Sequence, residues 1–269
     1  MKAFSLHLLI DLKAGLRDKT LLLMNYLFPL GFYIIIGGIM PKLNPGYLPM
    51  LIPSMMIFSI LVSTILGLPN GLVTSRDSGI FRSYKINGVS KLSMLGIPTI
   101  STMIHTIIVT IIILVSAPIL FNAILPRNIM GFVVVFVATL LVFSGFAVLI
   151  GVVAQNASTT IIYAQALFLP SMLIGGLMFP TSSLPNSITK FGRLLPTTYA
   201  MDAYQALANN QVANFDPIIS IGILVLSGLI SLYLSWYLFR LDSNNTSKAK
   251  SNILALGALI PFVATAIFI

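Results

Sequence analysis

Residues 128–189 form an unbroken run of 62 positions without a charged side chain. A helix crosses a hydrocarbon core of about 30 Å with about 20 mostly apolar residues. The run is therefore too long for one crossing and has to contain a reversal. The only polar cluster inside it, AQNASTT at 154–160, divides it into spans near 130–153 and 160–179.

The same reasoning parses the rest of the chain. Residues 20–41 are uncharged and predict a span at 21–40, stopped by Pro41 and Lys42. Residues 43–75 are also uncharged; after a turn at Asn44, Pro45 and Gly46 they predict a second span at 48–72. A third runs over 92–121, before Pro126 and Arg127, and a sixth fits between Asp216 and Arg240, opened by Pro217 at a position suited to a first helical turn. A basic, Ser/Asn-rich linker at 240–252 leads into a last apolar run, 253–269. That run is 17 residues long with Pro261 inside it, so it is a short seventh span, an interfacial helix or a segment packed on the bundle.

Composition agrees. The chain is 57% hydrophobic and 8% charged with a mean hydropathy of +1.01, against about 25% charged residues in soluble domains. A soluble globular enzyme is excluded. With no Cys, thiolate metal sites, disulfides and Cys nucleophiles are excluded as well, and the six acids are all Asp, which leaves little for paired-carboxylate or two-metal chemistry. The formal charge of +9 comes from 15 basic residues in small groups between apolar runs, with no stripe of the kind that binds nucleic acid.

Those basic groups set topology, because cytoplasmic loops carry the Lys/Arg excess. One side collects Lys2, Lys13, Arg17, Lys19, Arg76, Arg82, Lys85, Lys91, Arg240, Lys248 and Lys250, eleven in all; the other collects four, Lys42, Arg127, Lys190 and Arg193. The N-terminus and the loop after the second span are expected in the cytoplasm. The first twenty residues lack the form of a cleavable signal. Residues 2–19 read instead as an amphipathic helix along the cytoplasmic interface, with Phe4, Leu8, Leu12 and Leu16 at four-residue spacing.

Catalytic signatures are missing. There is no phosphate loop of the G-x-x-x-x-G-K-[ST] form and no H-E-x-x-H, and His7 and His105 are the only histidines. The nearest string to a serine-nucleophile elbow is Phe143-Ser144-Gly145, with no base beside it in sequence. Polar side chains within spans are costly and mark candidates for function; here they are Asn70, His105 and Gln165, with bonding to a neighbouring helix as the plainer reading. Small residues at four-residue spacing, Gly67/Gly71, Ala147/Gly151 and Ser227/Ser231/Ser235, predict close helix approach.

Two loops carry more information. After the second span, residues 70–98 have the grammar of a short helix at 75–88. Thr74 or Ser75 is its expected N-cap, Asp77 stands in its first turn, and Asn87-Gly88 ends it. Ile80 and Tyr84 should share one face while Arg82 and Lys85 point elsewhere, which suits either a soluble partner or lipid headgroups. At the outer side, residues 179–217 are too polar for a span and too apolar for a solvated loop. Ile188, Phe191, Leu194 and Leu195 interleave with Lys190 and Arg193, and a helical pattern resumes after Pro196, so two short helices dipping into the outer interface are expected over 184–208.

At these two loops the chain resembles the ABC-2 type transporter permeases, the six-span membrane subunits of type V ABC exporters. The first shared element is Arg76-Asp77-Ser78-Gly79, then Arg82, then Val89-Ser90-Lys91, with Asp77 where Glu is commoner and Gly88 where Pro is commoner. The second is Phe179-Pro180, Leu184-Pro185 and Pro196-Thr197-Thr198-Tyr199-Ala200-Met201-Asp202. The likeness covers about residues 1–242; the tail 243–269 is not part of the six-span pattern.

The resemblance implies an all-α integral membrane protein of the bacterial cytoplasmic membrane. Residues 1–20 would be the connecting helix and 21–242 the six-span permease core. Two such chains, identical or paralogous, would work with a separate ATP-binding subunit that holds the ATP and Mg, this chain binding no cofactor itself and carrying no ATPase site. Arg76, Asp77, Gly79, Arg82, Tyr84 and Lys85 would form the helix that docks on the ATPase. The substrate path would involve Phe58 and Ser59 on the second span, His105, and Gln165, Phe168 and Met172 on the fifth, with Pro180, Pro185, Pro196, Tyr199 and Asp202 at an outer gate. An amphipathic cargo such as a drug, an antibiotic peptide or a lipid fits the apolar lining; a lipid-linked polysaccharide exporter and a non-transporting anchor for an ATPase are the alternatives.

Overall fold

In the computed structural model, which describes residues 2–179, 185–241 and 248–268, all regular structure among the described residues is helical. Six helices are long and apolar enough to cross a bilayer: Lys19–Leu43, Pro45–Asp77, Lys91–Phe121, Ile129–Val153, Ala157–Ile174 and Pro217–Leu238, here spans one to six. The reversal inside the long uncharged run falls where the polar cluster stands. There Asn156 Oδ1 accepts the Thr159 N–H at 2.9 Å and Thr159 Oγ1 accepts the Asn156 N–H at 3.1 Å, a reciprocal cap that starts span five. Span five ends at Ile174 rather than near 179, because Gly175 and Gly176 follow and Gly176 takes the left-handed conformation (φ 85°).

Span two is the axis of the bundle. Its most apolar stretch is 94% buried, against 28% for span one and 22% for span five, so it is apolar all round while the others keep one lipid-ready face. Close approaches fix its neighbours. A Cβ added at Gly151 on span four would meet Leu72 and the Pro69 carbonyl of span two, and one at Gly145 would meet the Gly228 carbonyl oxygen of span six at 2.8 Å. Small residues thus bring these backbones together within the chain. The serine row of span six turns inward: Ser231 Oγ donates to the Ser227 carbonyl at 2.7 Å and Ser235 Oγ to the Ser231 carbonyl at 2.6 Å.

Two spans contain a widened, π-helical turn, Leu23–Leu27 in span one and Val62–Gly67 in span two, and each lies just ahead of a proline, Pro29 or Pro69. A proline inside a helix removes one backbone donor and its ring crowds the carbonyl four residues back. The wider turn relieves that crowding without ending the span.

The N-terminal helix Lys2–Arg17 is separated from span one by Asp18, whose carboxylate accepts the N–H groups of Thr20 and Leu21 at 2.8 and 2.9 Å. The tail is the other addition to the six spans. It is two helices, Lys248–Ala255 and Ile260–Phe268, joined by a tight turn at Leu256–Leu259. It packs on the bundle along its length, from Asn252 beside Tyr163 to Thr265 beside Tyr199. Phe262 is fully buried beside Phe146 and Tyr199, and Ser227 Oγ of span six donates to the Ala258 carbonyl at 2.6 Å. The linker positions 242–247 lie outside the described residues.

Candidate functional site

The foot of span two departs from the sequence expectation. Thr74 and Ser75 are not N-caps, and Asp77 is not in a first turn: span two continues without interruption to Asp77, and a separate short helix, Ile80–Ile86, follows. The apolar run stops near Leu72, but the backbone ladder continues in residues that leave the apolar environment, which hydropathy does not register. The break comes at Gly79, which adopts φ 78° and donates its N–H to the Arg76 carbonyl at 3.1 Å. At the far end Gly88 (φ 77°) donates to the Lys85 carbonyl at 3.1 Å and Val89 to the Tyr84 carbonyl at 2.9 Å, the paired bonds that close a helix on a left-handed residue. Ser90 then caps span three through the Ser93 N–H at 3.1 Å.

The side chains of this elbow divide into two sets. Arg76 faces inward: its guanidinium donates to the Gln155 carbonyl at 3.1 Å and to the Val152 carbonyl at 3.4 Å, while Nε meets the Asp77 carboxylate at 3.2 Å. A cation thus satisfies the open carbonyl end of span four, and Arg76 ties the foot of span two to the turn between spans four and five. Arg82 and Lys85 are exposed on the short helix. Phe81 anchors this helix: it is buried against Phe239 with ring centroids 5.3 Å apart, while Ile80 is 40% exposed.

The N-terminal helix is held to this elbow. His7 Nε2 and the Tyr84 hydroxyl are 3.2 Å apart. His105 of span three shares a 2.7 Å hydrogen bond with the Tyr26 hydroxyl of span one, and its imidazole fills the space that a side chain at Gly15 would need. His105 is therefore a packing partner of the N-terminal helix.

Deeper in the bundle, Phe58 stacks on Phe32 at 4.1 Å and lies 6.1 Å from Phe168, centroid to centroid. Phe58, Ser59 and Phe168 are buried, and Ser59 Oγ donates to the Met56 carbonyl at 2.8 Å. Gln165 and Met172 are half-buried on span five. Within one chain these positions join spans one, two and five in an aromatic core.

At the opposite end, helices Asn186–Gly192 and Pro196–Leu207 follow one another around Pro196, which opens the second. Pro180 and Leu184 lie outside the described residues, and Pro185 is the exposed residue ahead of the first helix. The second helix is buried from Pro196 to Tyr204. Asp202 organises the chain that leads into span six: Oδ1 accepts the Asn214 N–H at 2.7 Å and Asn214 Nδ2 at 2.9 Å, and Oδ2 accepts the Phe215 N–H at 2.9 Å. Burial pushes the Tyr199 hydroxyl above its ordinary titration range, so it stays protonated and donates to the Arg193 carbonyl at 2.8 Å. It also shares a 2.9 Å hydrogen bond with Thr265 of the tail. A Cβ at Gly175 would collide with Thr197 Oγ1 and the Ser171 carbonyl, so span five ends directly against this helix. The residues that complete this end, Gly175, Asn214 and Thr265, have no periodic mark in the sequence. Among the described residues no group of three or more His, Cys, Asp or Glu is placed to hold a metal ion.

Residues 39–237 match the family described as ABC-2 family transporter protein. The chain belongs to this family. An ABC-2 transporter protein with six apolar helices is a multi-pass membrane protein and a transporter component, and the family implies partnership with an ABC ATP-binding subunit. The match takes in spans two to six, the elbow and both helices around Pro196, and leaves the N-terminal helix, most of span one and the tail outside it. No curated protein and no solved structure matches the chain.

Proposed function

We propose that this ABC-2 protein is the membrane subunit of an ATP-driven exporter of the bacterial cytoplasmic membrane, working as a pair of permease chains with a separate ATPase that holds the ATP and Mg, and moving an amphipathic cargo. The observation that carries the reading is the elbow: Ile80–Ile86 presents Arg82 and Lys85 to solvent, with a left-handed glycine at each end, and only Ser78 and Gly79 separate it from the foot of the central span. A push on such a helix reaches span two through the two-residue turn at Ser78–Gly79, closed by the Gly79–Arg76 hydrogen bond, and Arg76 passes it to the foot of span four. The Lys/Arg excess on the elbow's side supports a cytoplasmic N-terminus.

The aromatic core of Phe58 and Phe168, with Gln165 and Met172 beside it, supports a path that opens between two chains rather than inside one, with Pro185, Pro196, Tyr199 and Asp202 framing its outer end. Apolar walls with few polar groups suit a drug-like molecule, an antibiotic peptide or a lipid better than a large polar cargo. The test is reconstitution with the partner ATPase in lipid nanodiscs, comparing ATP hydrolysis for wild type and the double variant Arg82→Glu, Lys85→Glu. Hydrolysis that responds to cargo in wild type and is uncoupled in the variant supports an exporter. A complex that assembles through the elbow but never responds to any amphipathic compound identifies a membrane anchor instead.

A further inference from the structure

The tail creates a cleft that the six spans alone would not have. Phe146 and Ile150 of span four, Tyr163 and Leu167 of span five, Leu195, and Leu256 of the tail line an apolar cavity of about 500 Å³. One end is the Tyr163–Asn252 pair, where Asn252 Nδ2 donates to the Tyr163 hydroxyl at 3.3 Å; the other lies where the helix at Pro196 begins. Tyr163 stands in the second turn of span five, close above the turn that Arg76 grips, so the polar end of the cleft faces the basic end of the bundle.

Two features select an occupant. An apolar slot between membrane spans, lined from Tyr163 and Asn252 at one end to Leu194 and Leu195 at the other, suits a hydrocarbon chain and leaves few polar partners for water. At its polar mouth the sequence supplies charge: Arg240 follows span six, and Lys248 and Lys250 open the helix Lys248–Ala255, with Lys248 one helical turn before Asn252. Basic clusters between spans at a membrane surface bind anionic lipid headgroups. The tail that closes the cleft lies outside the family match at 39–237.

We propose that the cleft between spans four and five and the tail holds one acyl chain of an anionic phospholipid, with its phosphate at the Tyr163–Asn252 end, where the helix Lys248–Ala255 begins. The lipid fills the space under the tail and fastens the tail to the bundle. The proposal does not depend on export activity.

The experiment is native mass spectrometry of the full chain, delipidated and then titrated with phosphatidylglycerol or phosphatidylcholine of the same acyl composition. The expected result is one phosphatidylglycerol retained per chain, about tenfold more tightly than phosphatidylcholine, the order set by two or three basic residues near one anionic headgroup. Ala166 of span five also lines the cleft, and Ala166→Trp, which fills it, should remove the retained lipid. Lys248→Glu with Lys250→Glu leaves the apolar walls intact and should abolish the preference for phosphatidylglycerol, which keeps the question decidable if the tryptophan variant does not fold. Equal retention of the two lipids by wild type, or retention unchanged in both variants, overturns the proposal.

Discussion

His7 Nε2 lies 3.2 Å from the Tyr84 hydroxyl, their rings edge to face at 5.0 Å, across 77 positions of sequence. The pair joins the N-terminal helix to the elbow, so the two should move as one body. Tyr84→Phe keeps the ring and deletes the hydroxyl. A net hydrogen bond contributes about 0.5–1.5 kcal/mol, so amide exchange over Lys2–Arg17 should quicken by about fivefold with the spans unchanged. Unchanged exchange in that helix would mean the contact carries no coupling.

Gly79 sits at φ 78° with nothing within 4 Å of the position its Cβ would take, so a substitution there meets backbone strain and no collision. Gly79→Ala should cost about 1–2 kcal/mol, and Gly79→Asn less, since Asn tolerates the left-handed region. Thermal unfolding in detergent of the three proteins, with the order Gly above Asn above Ala, checks this. An alanine variant as stable as wild type would show that the elbow relaxes.

Gly145 and Gly71 separate close approach from mere pattern. Gly71 belongs to a small-residue pair in the sequence, yet a Cβ there meets nothing within 4 Å; Gly145 belongs to no such pair, yet a Cβ there strikes the backbone of Gly228. Gly145→Ala should destabilise by about 1–3 kcal/mol, whereas Gly71→Ala should be neutral or stabilise by up to about 1 kcal/mol. Melting temperatures in the same detergent decide, and the reverse order would contradict the packing of spans four and six.

Asp202 accepts three N–H groups from Asn214 and Phe215 and is 6% exposed. Asp202→Asn sets an amide NH₂ against a donor, and hydrogen bonds to a charged group contribute about 1.5–3 kcal/mol each. The expected outcome is a fall in melting temperature with the largest gain in amide exchange at 209–216. A uniform change across all spans would assign Asp202 a different role.

The spans were legible because the bilayer makes a single demand, an uncharged run of fixed length, and the chain states it in the gaps between charges. The reversal at Asn156 was legible for the same reason. The elbow was misplaced at Thr74, since hydropathy reports where the apolar environment ends and not where the helix does; Gly79 was the better marker. The fastening of Asp202 to Asn214, of Arg76 to Gln155 and of Tyr199 to Thr265 joins residues 12, 79 and 66 positions apart. Such pairs arise from packing and leave no periodic trace. The tail's packing was illegible for a related reason: the Ser227–Ala258 and Tyr199–Thr265 bonds that hold it to the bundle join residues 31 and 66 positions apart.

Because the chain contains no Cys, a single introduced cysteine reports one place without background. Lys85→Cys on the elbow and Lys42→Cys, exposed at the opposite end between spans one and two, would each be labelled with a benzophenone maleimide in membranes that contain the partner ATPase and then irradiated. Docking through Ile80–Ile86 predicts an adduct with the ATP-binding subunit from position 85, changed in yield by ATP, and none from position 42. No adduct from position 85, or equal adducts from both positions, would contradict it.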